Sequence, residues 1–179
     1  ILAMRQGEDR DPERADFWNE FGLLHLQLGN LDMARPKFRR AAALDPKMAS
    51  PWINLAILEQ RRGSPAAAVP YLKKAIACDP DDGLAWSNLG LALRDSERLS
   101  EAEDALRRAA ALRPDHPQTR VNLATVLLDA GRAEAADEVL KEALAMEPRL
   151  TSAMVAAANV ALHRGDEAGA AEHYRDALN

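Results

Sequence analysis

The feature that most limits the fold of this chain is a spacing of 34 residues at which the same side chains recur. Several columns keep this spacing through most of the 179 residues. They are Pro12, Pro46, Pro80, Pro114 and Pro148; Trp18, Trp52 and Trp86; Ala34, Ala68, Ala102, Ala136 and Ala170; and Ala41, Ala75, Ala109, Ala143 and Ala177. Such a period is typical of proteins built from one repeated supersecondary unit, in which each unit completes the core of its neighbour.

Two helices are predicted within each unit. One stripe at helical spacing consists of Trp52, Leu55, Ala56 and Glu59. A second stripe follows Gly63 and consists of Ala68, Leu72, Ala75 and Ile76. Gly63 suits the left-handed residue that ends a helix, and Pro80 disfavours helix in the residue before it. Because Ala is abundant while Val, Ile and Thr are sparse, the pattern predicts an all-α fold of antiparallel helix pairs.

The same columns divide the chain into segments. We predict full units at residues 15–48, 49–82, 83–116 and 117–150, and a truncated fifth unit at residues 151–179. Residues 1–14 are predicted to be an N-terminal segment that forms the end of a preceding repeat, because Pro12 keeps the spacing.

Two units show the recurring residues most clearly. The first reads Trp18, Phe21, Gly22, His25, Ala34, Phe38, Ala41 and Pro46. The third reads Trp86, Leu89, Gly90, Leu93, Ala102, Leu106, Ala109 and Pro114. This pattern resembles the tetratricopeptide repeat, which has Trp, Leu-Gly, Tyr, Ala, Phe, Ala and Pro at these offsets. The resemblance implies a right-handed superhelical solenoid of about five helix pairs, with the first helix of each pair lining a concave groove.

Binding chemistry is expected on the face of each first helix that turns away from its partner helix. Asn54, Asn88 and Asn122 share one column there, and we expect them to form a ladder. A carboxamide both donates and accepts hydrogen bonds, so such a ladder can hold the backbone of an extended peptide. The alternative is that these side chains bond water or a neighbouring helix.

Further candidate peptide-binding residues share this face. They are Ile53, Ile57, Arg61, Ser87, Leu91, Val121 and Thr125. Exposed aliphatic side chains on such a face usually indicate a partner, although some of them can pack between adjacent units. We therefore predict a protein–protein interaction module that binds an extended peptide or a partner helix in the groove.

No catalytic site, cofactor or metal site is predicted, and the chain is not expected to be an enzyme. Cys78 is the only cysteine, which excludes an internal disulfide and a cysteine-based zinc site. The net charge of −5 argues against binding of nucleic acid. No apolar run reaches the ~18 residues of a membrane span, so membrane insertion is not expected.

Two alternative functions remain open at this point. The fifth unit lacks the polar capping helix that repeat arrays usually have, so a homo-oligomer could form through Leu178 and its neighbours. The array could also be the targeting segment of a larger enzyme, as in glycosyltransferases that carry such repeats. The partner, the pathway and the compartment are not determined by the sequence; a cytoplasmic location is favoured because no targeting segment is visible.

Overall fold

Ten α-helices account for most of residues 13–178, the part of the chain that the computed structural model describes. They are α1 (Ala15–Gln27), α2 (Leu31–Leu44), α3 (Ala49–Arg61), α4 (Pro65–Cys78), α5 (Gly83–Arg94), α6 (Leu99–Leu112), α7 (Pro117–Asp129), α8 (Ala133–Met146), α9 (Thr151–His163) and α10 (Glu167–Ala177). No strand occurs in this part of the chain. The predicted all-α fold of paired helices is therefore confirmed. Most of the predicted N-terminal segment, residues 1–12, lies outside the described residues.

Left-handed residues end the first helix of each pair. Gly63 and Gly131 have φ angles of +72° and +73°, which glycine adopts without strain. In the turn between α5 and α6 the corresponding residue is Glu97, which takes a φ of 61° despite its Cβ atom. Gly29, Gly63, Gly131 and Gly165 occupy this position in the other repeats with positive φ angles, so the recurrence of glycine has a conformational cause.

The chain divides into two compact units, residues 1–81 and 82–179. In the N-terminal unit α1 packs on α2 and α3 packs on α4, while α3 also contacts both α1 and α2. Its core is a cluster of buried side chains. This cluster contains Leu26, Ala34, Phe38, Leu55 and Leu58. Residues from both helix pairs are present in the cluster, so the two pairs share one core.

The C-terminal unit contains three helix pairs, α5–α6, α7–α8 and α9–α10. Each second helix packs against the next first helix, α6 on α7 and α8 on α9. The first helices also contact one another, α5 with α7 and α7 with α9. Leu106, Leu127 and Leu140 are among its fully buried side chains. This packing places three first helices side by side.

One hydrogen bond recurs where a first helix follows the proline turn. The indole Nε1 of Trp52 donates to the backbone oxygen of Pro46 at 3.2 Å. In the fourth repeat Arg120 replaces the tryptophan, and its Nη1 donates to the backbone oxygen of Pro114 at 2.9 Å. The Nε of Arg120 also contacts Glu142 at 3.1 Å. The arginine therefore keeps the hydrogen bond of the indole, although it cannot replace the area that the indole buries.

Glu103 of α6 joins two repeats of the C-terminal unit through Arg107, at 2.9 Å, and through Arg132 of the following repeat. Burial by itself would raise the pKa of Glu103, but hydrogen bonds from the two arginines outweigh it and lower the pKa below the ordinary value of 4.5. A carboxyl group whose pKa is lowered on folding contributes stability above its unfolded-state pKa and loses it as the pH falls through the folded-state pKa.

We expect Glu103→Gln to lower the free energy of unfolding at pH 7 by roughly 1 kcal/mol, the upper range for a partly exposed ion-pair network. The difference in the free energy of unfolding between this variant and the unmodified protein should shrink as the pH is lowered from about 5 to below 3. Urea unfolding at several pH values would measure both effects. Glu134→Gln, at an exposed position of α8, is the control. A loss of stability that is the same at every pH would contradict the assignment of Glu103 as an ion-paired carboxylate.

Candidate binding face of the first helices

In the N-terminal unit the asparagine column takes part in an internal contact. Asn54 is only 8% exposed, and its Nδ2 donates to Oδ1 of Asn19 at 2.8 Å. Asn19 is 4% exposed, so this pair of amides joins α1 to α3 in a buried setting. A buried polar group is costly unless it is hydrogen-bonded, and this bond satisfies one polar atom on each amide. Asn54 is thus placed between two first helices.

The other candidates of this unit also make internal contacts. Ile53 and Ile57 are partly buried, and Ile57 packs against the core cluster that contains Leu26. The side chain of Arg61 donates from Nη1 to the backbone oxygen of Leu26 at 3.0 Å. The Leu26 carbonyl lies in the last turn of α1 and also accepts from the backbone N–H of Gly29 at 3.2 Å, so Arg61 adds a second donor at this helix end.

In the C-terminal unit the candidate residues separate into two groups. Ser87 and Val121 are buried. Asn88, Leu91, Asn122 and Thr125 are partly exposed on α5 and α7. Two carboxamides, one leucine and one threonine side chain therefore reach solvent on neighbouring first helices.

Hydrogen bonds connect polar side chains of α7 and α9 in a fixed direction. The hydroxyl of Ser152 donates to Oε1 of Gln118 at 2.7 Å, and Nε2 of Gln118 donates to Oδ1 of Asn122 at 3.2 Å. Nδ2 of Asn122 has no acceptor among residues 13–178. The chain of bonds thus ends on a donor that is available to a ligand. We call Asn88, Leu91, Gln118, Asn122, Thr125 and Ser152 the C-terminal first-helix face.

Ser152 was not among the residues predicted from the sequence. Its position 34 residues after Gln118 is the signal that could have identified it. Thr125 is on the predicted face, but its Oγ1 donates to the backbone oxygen of Val121 in its own helix at 2.9 Å. The hydroxyl of Thr125 can then only accept a hydrogen bond from a ligand, and its methyl group offers an apolar contact.

Charged residues stand at the carboxyl ends of α5 and α7. Asp95 and Asp129 are both exposed, and Arg94 reaches them at 2.9 and 3.8 Å. Within the described residues no group of three or more His, Cys, Asp or Glu side chains is arranged to hold a metal ion. Over the same residues, no helix combines the length and the apolar character that crossing a bilayer requires.

Comparison with known families gives two matches, which leave only residues 50–69 uncovered. The family model described as the TPR domain of cytochrome c-type biogenesis protein H matches residues 70–179. A second model, described as tetratricopeptide repeat, matches residues 1–49. No curated protein matches the chain.

Several solved structures are similar to this one. PilW, described as a widely conserved type IV pilus biogenesis factor, has a TM-score of 0.85 and 25% identity, over 96% of this chain and 80% of PilW. PilF from Pseudomonas aeruginosa has a TM-score of 0.79 and 26% identity, over 95% of this chain and 77% of PilF. YrrB, described as a TPR protein with an unusual peptide-binding site, has a TM-score of 0.78 and 19% identity, over 98% of this chain and 91% of YrrB.

Proposed function

Because the chain belongs to the tetratricopeptide-repeat family, within the family of the cytochrome c-type biogenesis protein H domain, we propose that it binds an extended peptide or a partner helix on its first helices. Proteins of this family are typically non-catalytic scaffolds for protein–protein interactions. The proposed site is the C-terminal first-helix face.

The observation that carries this proposal is the pairing of amide and aliphatic side chains on adjacent helices. Asn88 and Leu91 are partly exposed on α5, and Asn122 is partly exposed on α7. Amides can bond a peptide backbone whatever its sequence, while the aliphatic surface accepts apolar side chains of the ligand. An extended peptide offers both kinds of group.

Asn122 is held ready to donate a hydrogen bond. Gln118 donates to the amide oxygen of Asn122, and the amide nitrogen has no acceptor among residues 13–178, so it can donate to a ligand. A backbone carbonyl of a bound peptide would supply that acceptor. In this proposal Gln118 is a positioning residue, since it acts on the ligand only through Asn122.

Substitution of both exposed asparagines tests the site. We expect Asn88→Ala with Asn122→Ala to weaken peptide binding by about 10- to 100-fold, since each lost hydrogen bond is worth roughly 0.5–1.5 kcal/mol. Binders would be selected from a library of random 12-residue peptides displayed on phage. The affinity of a selected, fluorescein-labelled peptide would then be measured by fluorescence polarisation.

Asn30→Ala is the matched control, because Asn30 is an exposed carboxamide in the turn between α1 and α2. This variant should bind the selected peptide as the unmodified protein does. Equal affinity of the double variant and the control would contradict the proposal. Circular dichroism of each variant would verify that the helices are retained.

The remaining candidates stay predictions. Asn54→Ala belongs in the same binding assay, accompanied by a stability measurement, because the internal bond to Asn19 is lost with the ligand contact. Self-assembly and a role as a targeting segment also stay predictions. Light scattering over a range of protein concentrations distinguishes self-assembly from a monomeric binding module.

A further inference from the structure

Every second helix carries a cation at one position of the repeat. These residues are Arg39, Lys73, Arg107, Lys141 and Arg175. The next position is also basic in the first three repeats, with Arg40, Lys74 and Arg108. The surroundings of these cations differ between the two units.

In the C-terminal unit carboxylates one turn earlier neutralise the cations. Arg107 contacts Glu103 at 2.9 Å. Lys141 contacts both Asp137 and Glu138 at 2.9 Å. These are the i,i+3 and i,i+4 pairs that stabilise an exposed helix face.

In the N-terminal unit the equivalent positions one turn earlier hold no carboxylate. They are Arg35, Pro36, Val69 and Pro70. Among residues 13–178, neither Arg39 nor Lys73 has an ion-pair partner, and both are exposed. Arg40 reaches Glu13 only at 3.8 Å, and Lys74 lies 4.4 Å from the centre of the Trp52 ring. Among the described residues, the only carboxylate within 4 Å of these four exposed cations is thus Glu13.

The charge of the whole N-terminal unit agrees with this contrast. Residues 13–81 contain ten Lys and Arg against eight Asp and Glu, whereas residues 82–178 contain eleven against seventeen. The chain is acidic overall, yet its N-terminal unit is not. We name the surface formed by Arg39, Arg40, Lys73 and Lys74 the basic face.

We propose that the basic face binds an acidic segment of a partner protein. Carboxylates of such a segment would make charge-assisted hydrogen bonds with the guanidinium and ammonium groups of this face, none of which hydrogen-bonds a carboxylate among residues 13–178. This surface lies on second helices and is separate from the C-terminal first-helix face. The array would then hold two partners, or two segments of one partner.

A short acidic peptide suits the basic face better than nucleic acid or a lipid surface. The acidic remainder of the chain repels a long, densely charged polyanion. A membrane-surface helix also needs several apolar anchors. Of the exposed large hydrophobic residues in the described part of the chain, only Met33 lies on α2 or α4. The others are Leu28, Leu84, Met146, Val155, Leu162 and Leu178.

The decisive variant converts the N-terminal unit to the pattern of the C-terminal unit. In Pro36→Glu with Pro70→Glu, each new carboxylate stands three and four residues before a pair of cations, as Glu138 does before Lys141. All four cations remain, but they become paired. We expect the affinity for a fluorescein-labelled peptide of twelve glutamates to fall at least about tenfold.

Pro36→Gln with Pro70→Gln is the matched control, since it removes the same two prolines from the helices without adding charge. It should bind the glutamate peptide as tightly as the unmodified protein. Thermal unfolding of both variants would verify that the fold is kept. If the glutamate variant binds as tightly as the glutamine variant, the proposal fails.

Competing polyanions provide the second part of the test. Binding of the glutamate peptide should weaken between 50 and 300 mM salt, and Lys141→Ala should leave it unchanged because Lys141 is already neutralised. A peptide of twelve glutamines should not bind. Tighter binding of a twelve-nucleotide single-stranded DNA, or of phosphatidylserine vesicles, than of the glutamate peptide would overturn the assignment to an acidic protein segment.

Discussion

Replacing Phe38 with alanine is expected to lower the free energy of unfolding of the N-terminal unit by about 3–5 kcal/mol, the usual cost of removing a buried aromatic ring. Phe38 is fully buried, and its cluster includes Leu26 of α1 and both Leu55 and Leu58 of α3. A single ring therefore supports three helices, and its removal leaves a cavity between two helix pairs.

The ring also lies against the backbone of α1. A Cβ atom added to Gly22 would lie 2.5 Å from Cε1 of Phe38, so α1 approaches the ring as closely as glycine permits. The smaller alanine side chain cannot restore this contact, and α1 cannot move inward without disturbing Leu26. We expect little relaxation around the cavity and thus a cost near the upper end of the range.

Hydrogen exchange followed by mass spectrometry would measure the effect by helix. Amides of α1, α2 and α3 should exchange faster in Phe38→Ala, because their opening free energies fall with the stability of the unit. Met33→Ala is the control, since Met33 lies on the same helix and is 49% exposed. If Phe38→Ala lowers the opening free energies of these amides no more than Met33→Ala does, Phe38 is not central to the core.

Replacing Arg35 with alanine is expected to lower the free energy of unfolding by about 2–4 kcal/mol, because a buried carboxylate is left without its partner. Nη2 of Arg35 contacts Oε1 of Glu59 at 2.6 Å, and the side chain of Glu59 is 9% exposed. The contact joins α2 to α3 and hence one repeat to the next. Since Arg35 is 30% exposed, the expected cost is below that of a fully buried pair.

The double variant Arg35→Met with Glu59→Leu distinguishes the cost of an unpaired buried charge from the loss of the ion pair itself. Replacing both partners by apolar side chains removes the unpaired charge, so its stability should lie close to that of the unmodified protein. Arg62→Ala is the surface control, because its partner Asp32 is 91% exposed, and it should cost under about 1 kcal/mol. Guanidinium chloride unfolding would compare all four proteins. A double variant as unstable as Arg35→Ala would mean that the pair matters through its shape and not through its charge.

The fold could be predicted because its determinants are local and repeated. Apolar residues at helical spacing, glycines such as Gly63 and prolines such as Pro46 act within a few residues of the chain, and a spacing of 34 residues repeats them. The predicted family and the all-α fold are confirmed on this basis. The peptide-binding residues depend on which side chains meet across repeats, and they remain predictions.

The asparagines that recur every 34 residues show what the sequence does not predict, namely which hydrogen bonds each of them makes. Asn54 and Asn122 occupy the same position in their repeats, yet Asn54 donates to Asn19 in a buried pair while Asn122 accepts from Gln118 and keeps its donor available. The partner of Asn54 lies on the preceding first helix, 35 residues away, whereas the partner of Asn122 lies one turn earlier on the same helix.

The sequence by itself therefore determined where each helix pair forms and which side of each helix is apolar, since both follow from contacts within one repeat. Tertiary structure alone decided which polar side chains are consumed by bonds between helices, as with Arg35 and Glu59 or Asn19 and Asn54. The physical reason is that hydrogen bonds and ion pairs act over about 3–4 Å. Their partners are set by how one helix packs on the next.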